Sequence, residues 1–274
     1  MRKIILSCTT TYERCHVFYY TLQSLVSQSL KPDIFLINIS TAPYLLDSGF
    51  QALPHWIESY SSAIQWVPNT GPYRKLLPAI PHASPDDCIV TADDDILYGP
   101  KWLEQLITAA EANMSSVVCC RARQMQKNVF GNWQNYRNWK VVNQQHHGLD
   151  FLPTGGSGAV YRKRLLDTAF LTDPRCTEIA PTNDDLWFKM ASLRQRTPVT
   201  VHPEIDTDNI YLKHSYGLEQ KNFIRKTFAS SMHKRLYRWY ERRASYWGIN
   251  QSQNDFAWDA IEEYARLNLS LIHI

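Results

Sequence analysis

Residues 88–100 read Cys88-Ile89-Val90-Thr91-Ala92-Asp93-Asp94-Asp95-Ile96-Leu97-Tyr98-Gly99-Pro100. The first five form an apolar run of the kind that makes a strand covered on both faces. Three carboxylates follow at once. Gly99-Pro100 then opens a helix whose core face is Leu103, Leu106, Ile107 and Ala110, with proline in its first turn. A buried strand that ends in charge and is followed by a helix is the repeating unit of an open α/β sheet, whose ligands gather at the carboxyl ends of the strands.

The same alternation runs upstream. Lys3–Ser7 reads as a buried opening strand, and Phe18, Leu22, Leu25 and Val26 mark one face of a helix that stops at Lys31-Pro32. Asp33–Ser40 is a second strand; a helical stretch at Phe50–Tyr60, a strand at Ala63–Val67 and a brief helix at Tyr73–Ile80 follow. Downstream come a strand at Val117–Arg123, an aromatic polar stretch at Phe130–Val142, and the glycine-rich loop Thr154-Gly155-Gly156-Ser157-Gly158. A strand at Ala159–Arg162 and a helix from Asn183 to Leu193 complete the pattern. The expected fold is α/β, Rossmann-like, with a mostly parallel central sheet and helices on both faces. One catalytic domain over 1–220 and a helical extension over 221–274 is the simplest division.

At 274 residues, with 44% hydrophobic and 20% charged side chains, the chain has an ordinary globular composition, which argues against long disorder. No apolar run approaches the ~20 residues that cross a bilayer, and Met1–Arg14 is too briefly apolar for a secretory leader. A cytoplasmic protein is expected. The six cysteines show no CxxC pair and read as reduced packing residues. Residues 1–220 carry 20 basic and 21 acidic groups, whereas 221–243 carry eight basic groups and one acid. Interleaved with Phe223, Phe228, Trp239 and Tyr240, that segment suits either peripheral contact with an anionic membrane or packing on the domain with its cations outward. No nucleic-acid-binding module is recognisable.

Three adjacent carboxylates at a strand end repel one another, and a bound cation would relieve them. Alternate side chains of an extended chain point the same way, so Asp93 and Asp95 can share a site. A hard divalent ion, Mg2+ or Mn2+, takes one or two carboxylates and completes its shell with water and phosphate oxygens. The bland alternative is a solvated acidic turn ahead of a helix.

Taken together, these pieces resemble the family 2-type glycosyltransferases with a GT-A fold. The resemblance is carried by Ile4–Ser7, Leu22–Gln28, Pro32-Asp33, Tyr73–Pro78, Ile89–Asp95, Thr154–Gly158 and Asn183–Trp187, and it covers about residues 1–215. It implies transfer of a sugar from a nucleotide-sugar donor, UDP-linked, to a hydroxyl of a glycan or lipid-linked acceptor. It further implies an inverting, metal-dependent reaction of the polysaccharide or lipopolysaccharide biosynthesis type. Thr9, Thr11, Tyr12, Lys75, Asp93 and Asp94 would then bind the donor, and Gly155, Gly156, Ser157 and Trp187 would face sugar and acceptor. Asp93, Asp95 and a late histidine, His214, would hold the metal, while Asp184 or Asp185 would be the catalytic base. Two departures stand out. Asn38-Ile39-Ser40 lacks the usual acidic pair at the end of the second strand, and Asn183-Asp184-Asp185 replaces the usual Glu-Asp.

Bland readings accompany the sharp ones. Thr182–Asp185 fits a helix capping box, His214 can be a structural histidine, and His146, His147, Trp133, Tyr136 and Trp139 fit either an acceptor loop or packing. Two rival functions remain. A nucleotidyltransferase builds a similar sheet but would want a glycine-rich phosphate loop where Cys8–Tyr12 stands. A non-catalytic carbohydrate-binding or scaffold protein would ignore nucleotide and metal.

Overall fold

The computed structural model describes residues 2–214, 240, 243–250 and 252–269. The basic segment 221–243 therefore lies, apart from residues 240 and 243, outside the described residues. The first half contains β1 (Ile4–Thr9), α1 (Cys15–Val26), β2 (Ile34–Ile39), β3 (Ile64–Trp66), β4 (Cys88–Ala92), β5 (Ile96–Leu97) and α2 (Trp102–Ala112). The strands β6 (Val117–Cys119), β7 (Ala122–Gln124), β8 (Lys140–Val141), β9 (His146–Gly148), β10 (Phe151–Pro153) and β11 (Ala159–Tyr161) follow. Last come α3 (Asp184–Arg194), β12 (Val199–Val201), β13 (Ile210–Tyr211) and α4 (Gln253–Leu269).

The central sheet has the order β3-β2-β1-β4-β11-β6-β12-β9. Strands β3, β2, β1 and β4 are parallel; β11 runs against both β4 and β6; β12 is parallel to β6, and β9 closes the edge antiparallel. The mostly parallel sheet is as expected. Alternation along β1 divides the core: Leu6 and Cys8 pack with α1 and α2, while Ile5 faces the side that holds α3 and α4. All six cysteines are free and buried. No helix among the described residues is long and apolar enough to cross a membrane.

Three local expectations change. The run read as one strand over Val117–Arg123 is two, because the chain leaves the central sheet after Cys120 donates to Gly158 O and enters a second sheet, β10-β7-β8. The Tyr73–Ile80 helix is a pair of 3-10 turns, Gly71–Lys75 and Leu77–His82, where Pro72, Pro78 and Pro81 each remove a backbone donor. The Phe50–Tyr60 helix shrinks to His55–Glu58 behind Pro54.

The C-terminal helix α4 is fastened to the body. Ala257, Trp258, Ile261 and Ala265 join the core on the α3 side, Glu262 accepts from Trp133 Nε1 at 2.8 Å, and Asp255 accepts from Tyr136 N at 2.7 Å.

Candidate active site

A cleft of about 680 Å3 opens at the carboxyl ends of β1 and β4. Its floor is the acidic triplet, and every member is matched by a side chain from elsewhere. Asp94 is buried, accepts from Thr10 Oγ1 at 2.7 Å, and meets the Arg14 guanidinium in a very short ion pair. Arg14 also reaches Asp95 Oδ2 at 2.8 Å. Asp93 is met by Lys75 Nζ at 3.2 Å. Burial pushes the Asp94 carboxyl up to about 6, with Asp95 adding repulsion and Arg14 opposing. Sequence reasoning looked to a cation from outside to offset this charge; Arg14 and Lys75 already offset much of it.

Lys75 is the hub of the site. Its ammonium lies 2.9 Å from Asp184 and 3.7 Å from Asp185 as well as touching Asp93, so it ties the triplet to the start of α3. The surrounding carboxylates hold it protonated well above the ordinary lysine range in spite of its burial.

The glycine loop wedges between these groups. Gly155 N donates to both oxygens of Asp185, at 3.1 and 3.2 Å. A Cβ at Gly155 would stand 2.7 Å from Lys75 Nζ and 2.9 Å from Asp185 Oδ1, which is why no side chain fits there. Tyr98 fastens the loop to the triplet, because its hydroxyl accepts from Asp93 N and donates to Gly156 O, both at 2.8 Å.

The two candidate bases differ in setting. Asp184 is clamped against Lys75 with its side chain 9% exposed, whereas Asp185 turns to the cleft at 28%. Burial raises the Asp185 carboxyl to about 7; Lys75 pulls it down, and Asp184 and Asp93 push it up. The capping-box alternative does not occur: no side chain caps α3, and Asp185 bonds the glycine loop instead of its own helix.

Thr9, Thr11, Lys75, Gly156, Asp93, Asp94, Asp95, Asp184, Asp185 and His214, all expected from sequence, meet at this cleft. Several expected placements change. Trp187 is wholly enclosed, stacked on Phe170 and Tyr264 with its Nε1 donating to Leu171 O, so it is a core residue and faces no acceptor. Tyr12 points away, half exposed, with its ring edge-on to Phe50. Ser157 is buried, its hydroxyl against that of Tyr211, and Gly155 acts through its backbone. Trp133 and Trp139 pack with Trp258, His146 stacks on Phe151 and His147 bonds Thr200 at the sheet edge; only Tyr136 of that aromatic group reaches the cleft. Missed by sequence reasoning were Arg14, Arg121, Arg123 and Asn254, which also line it. The spacing of Arg121 and Arg123 on one face of a strand was the available signal.

For a metal, His214 Nε2 and Asp95 Oδ2 face each other at 2.8 Å. A carboxylate oxygen beside an imidazole nitrogen suits a divalent ion such as Mn2+. Asp93 does not join them, and among the described residues no three His, Cys, Asp or Glu side chains converge. The pair fits an ion whose remaining shell comes from water and phosphate.

Residues 44–170 match the family described as Glycosyl transferase family 2. Among solved structures, S. aureus TarS 1–349 in complex with UDP-GlcNAc gives a TM-score of 0.51 at 15% identity, covering 81% of this chain and 62% of that one. The same fragment in complex with UDP gives 0.47 at 18% identity, with 73% and 57% covered. A 4-diphosphocytidyl-2C-methyl-D-erythritol synthase gives 0.44 at 10%, with 87% and 98% covered. The likeness to the UDP-GlcNAc complex is one of fold alone. The chain spans 35% to 62% of the TarS structures it matches. No curated protein sequence matches. Residues 44–170 are thus similar to Glycosyl transferase family 2, and the sheet is similar in fold to that of the TarS fragment.

Proposed function

We propose that this chain is a glycosyltransferase that moves a sugar from a nucleoside diphosphate sugar to an acceptor hydroxyl with inversion, using Asp185 as base. The observation that carries the reading is Asp185 itself. It is cleft-facing, bonded to Gly155 N, raised to about 7, and joined through Lys75 to the acidic triplet. A base is most effective when its pKa lies near the working pH.

In the proposed step the Asp185 carboxylate takes the proton of the acceptor hydroxyl as that oxygen bonds to the anomeric carbon. The bond from that carbon to the diphosphate oxygen breaks on the opposite face, and the nucleoside diphosphate leaves with the electron pair. Asp95 and His214 would hold a divalent ion, which supplies positive charge to the departing diphosphate when bound. Lys75 pairs with Asp184 and holds it stationary beside the base, and the backbone of Gly155 fixes the base's orientation. We take UDP as the nucleotide because the TarS fragment of similar fold was solved with UDP-GlcNAc.

The test is Asp185→Asn assayed with UDP-sugars. A fall in kcat of about 10²–10⁴-fold is expected, the range ascribed to a positioned base. Its melting temperature at pH 8 should equal or exceed that of the wild type, since burial disfavours the charged carboxylate. A variant that kept full turnover would remove Asp185 from the mechanism.

A further inference from the structure

Two arginines of the cleft have, among the described residues, neither an aspartate partner nor a part in the proposed transfer. Arg121 and Arg123 line it from the start of β7. Being two apart in an extended chain, they leave the strand on one face. Arg121 is fastened to the glycine loop: its carbonyl accepts from Thr154 N and its Nη1 donates to Thr154 Oγ1, both at 3.0 Å. Arg123 donates from Nη1 to Trp139 O at 2.8 Å and lies 4.8 Å above the Tyr136 ring, while its Nε has no hydrogen-bond partner and is closed to solvent.

Arg14, Arg74 and Lys75 each meet an aspartate. Among the described residues, no carboxylate lies within ion-pair reach of Arg121 or Arg123. Two half-buried guanidiniums side by side, without a counter-charge, repel each other and retain unused donors in fork geometry. A planar fork is the group that grips phosphate and carboxylate oxygens in pairs.

Their position tells which substrate supplies the anion. Arg121 is bonded to Thr154, the neighbour of the glycine that holds Asp185, and so stands on the side of the base. The Asp95–His214 pair suits the donor's diphosphate. We propose that the acceptor carries a phosphate or carboxylate next to its reacting hydroxyl, and that Arg121 and Arg123 bind that group. The proposal rests on Asp185 being the base.

Binding of inorganic phosphate in the presence of saturating UDP tests it without turnover. The wild type should bind phosphate beside UDP. Arg121→Gln and Arg123→Gln should each weaken that binding about 10-fold or more, the scale of a charged hydrogen bond, and Arg121→Lys should restore part of it. Melting curves show whether each variant is folded. Phosphate expelled by UDP would assign the arginines to the donor and overturn the proposal, as would equal weakening of UDP and phosphate in the variants. Turnover is then compared for matched acceptors, such as glycerol with glycerol phosphate and a methyl glycoside with a sugar phosphate. A KM about 10–100-fold lower for the anionic partner is expected, with the gap closed in the double variant; equal use of both would overturn it. If phosphate binds as described but Asp185→Asn still transfers, the base assignment fails and the anion site survives.

Discussion

Lys75→Gln is the most informative single change. The ammonium lies between 2.9 and 3.7 Å from three aspartates and is itself buried, so its removal leaves Asp93, Asp184 and Asp185 facing one another. At about 4 Å and an effective dielectric near 20, a unit pair is worth about 4 kcal/mol. Asp185 is partly open to the cleft, which reduces this, so a loss of about 2 kcal/mol is a fair figure at that carboxylate. At 1.36 kcal/mol per unit, its pKa should rise from about 7 by about one to two units. On the proposed assignment the ionised form is the base, so the acid limb of kcat/KM should move upward by the same amount. Stability follows the same sign. A carboxyl whose folded pKa is raised favours the folded state below the ordinary carboxylate range, and that contribution is lost as pH rises through the folded value. The variant should therefore melt well below the wild type at pH 8, by about 3–5 kcal/mol as for a broken buried pair, and the gap should narrow near pH 5. A pH–rate profile and melts at both pH values decide it. An unmoved acid limb, or a stability gap identical at pH 5 and 8, would show that Lys75 does not govern these carboxylates.

Asp95→Ala should abolish the extra thermal stabilisation that UDP gains from Mn2+; retention of the full shift would remove Asp95 and its His214 contact from metal binding. Gly158→Ala should cost about 3 kcal/mol or more by denaturant melt, since φ is +105° and the new Cβ would sit 2.4 Å from the Trp102 ring. Lys189→Met should stabilise the protein at pH 7 by about 1–4 kcal/mol, because Lys189 Nζ is buried without a hydrogen-bond partner and burial lowers it to about 7. As the folded pKa is depressed, the penalty is greatest at and below pH 7 and fades toward the ordinary lysine value, so the gain measured at pH 10 should be smaller.

The left half of the sheet was legible because β1, β2 and β4 are largely apolar runs. Val117–Arg123 was not, because β-propensity is the same whether a strand stays in its sheet or changes to another, and Cys120 gives no sign of the switch. The triplet and the Asp184-Asp185 pair stood out as charge at element ends. What counterbalances them did not, since Arg14 and Asp94 are 80 positions apart and no periodicity links them. Trp187 misled for a related reason: α3 is buried nearly all round, so an aromatic on it carries no mark of facing a ligand or a core.

The reversed course of β11 has a practical result. In a wholly parallel sheet only segments that follow strands arrive at the catalytic rim, but here the segment preceding β11 arrives there too. On the proposed assignment, donor-side and acceptor-side parts of the rim are thus borne by chain stretches on different supports, the first on β1 and β4, the second on the small sheet β10-β7-β8. On that assignment, lengthening the connection between β8 and β9 offers a route to altered acceptor choice that leaves the nucleotide end undisturbed.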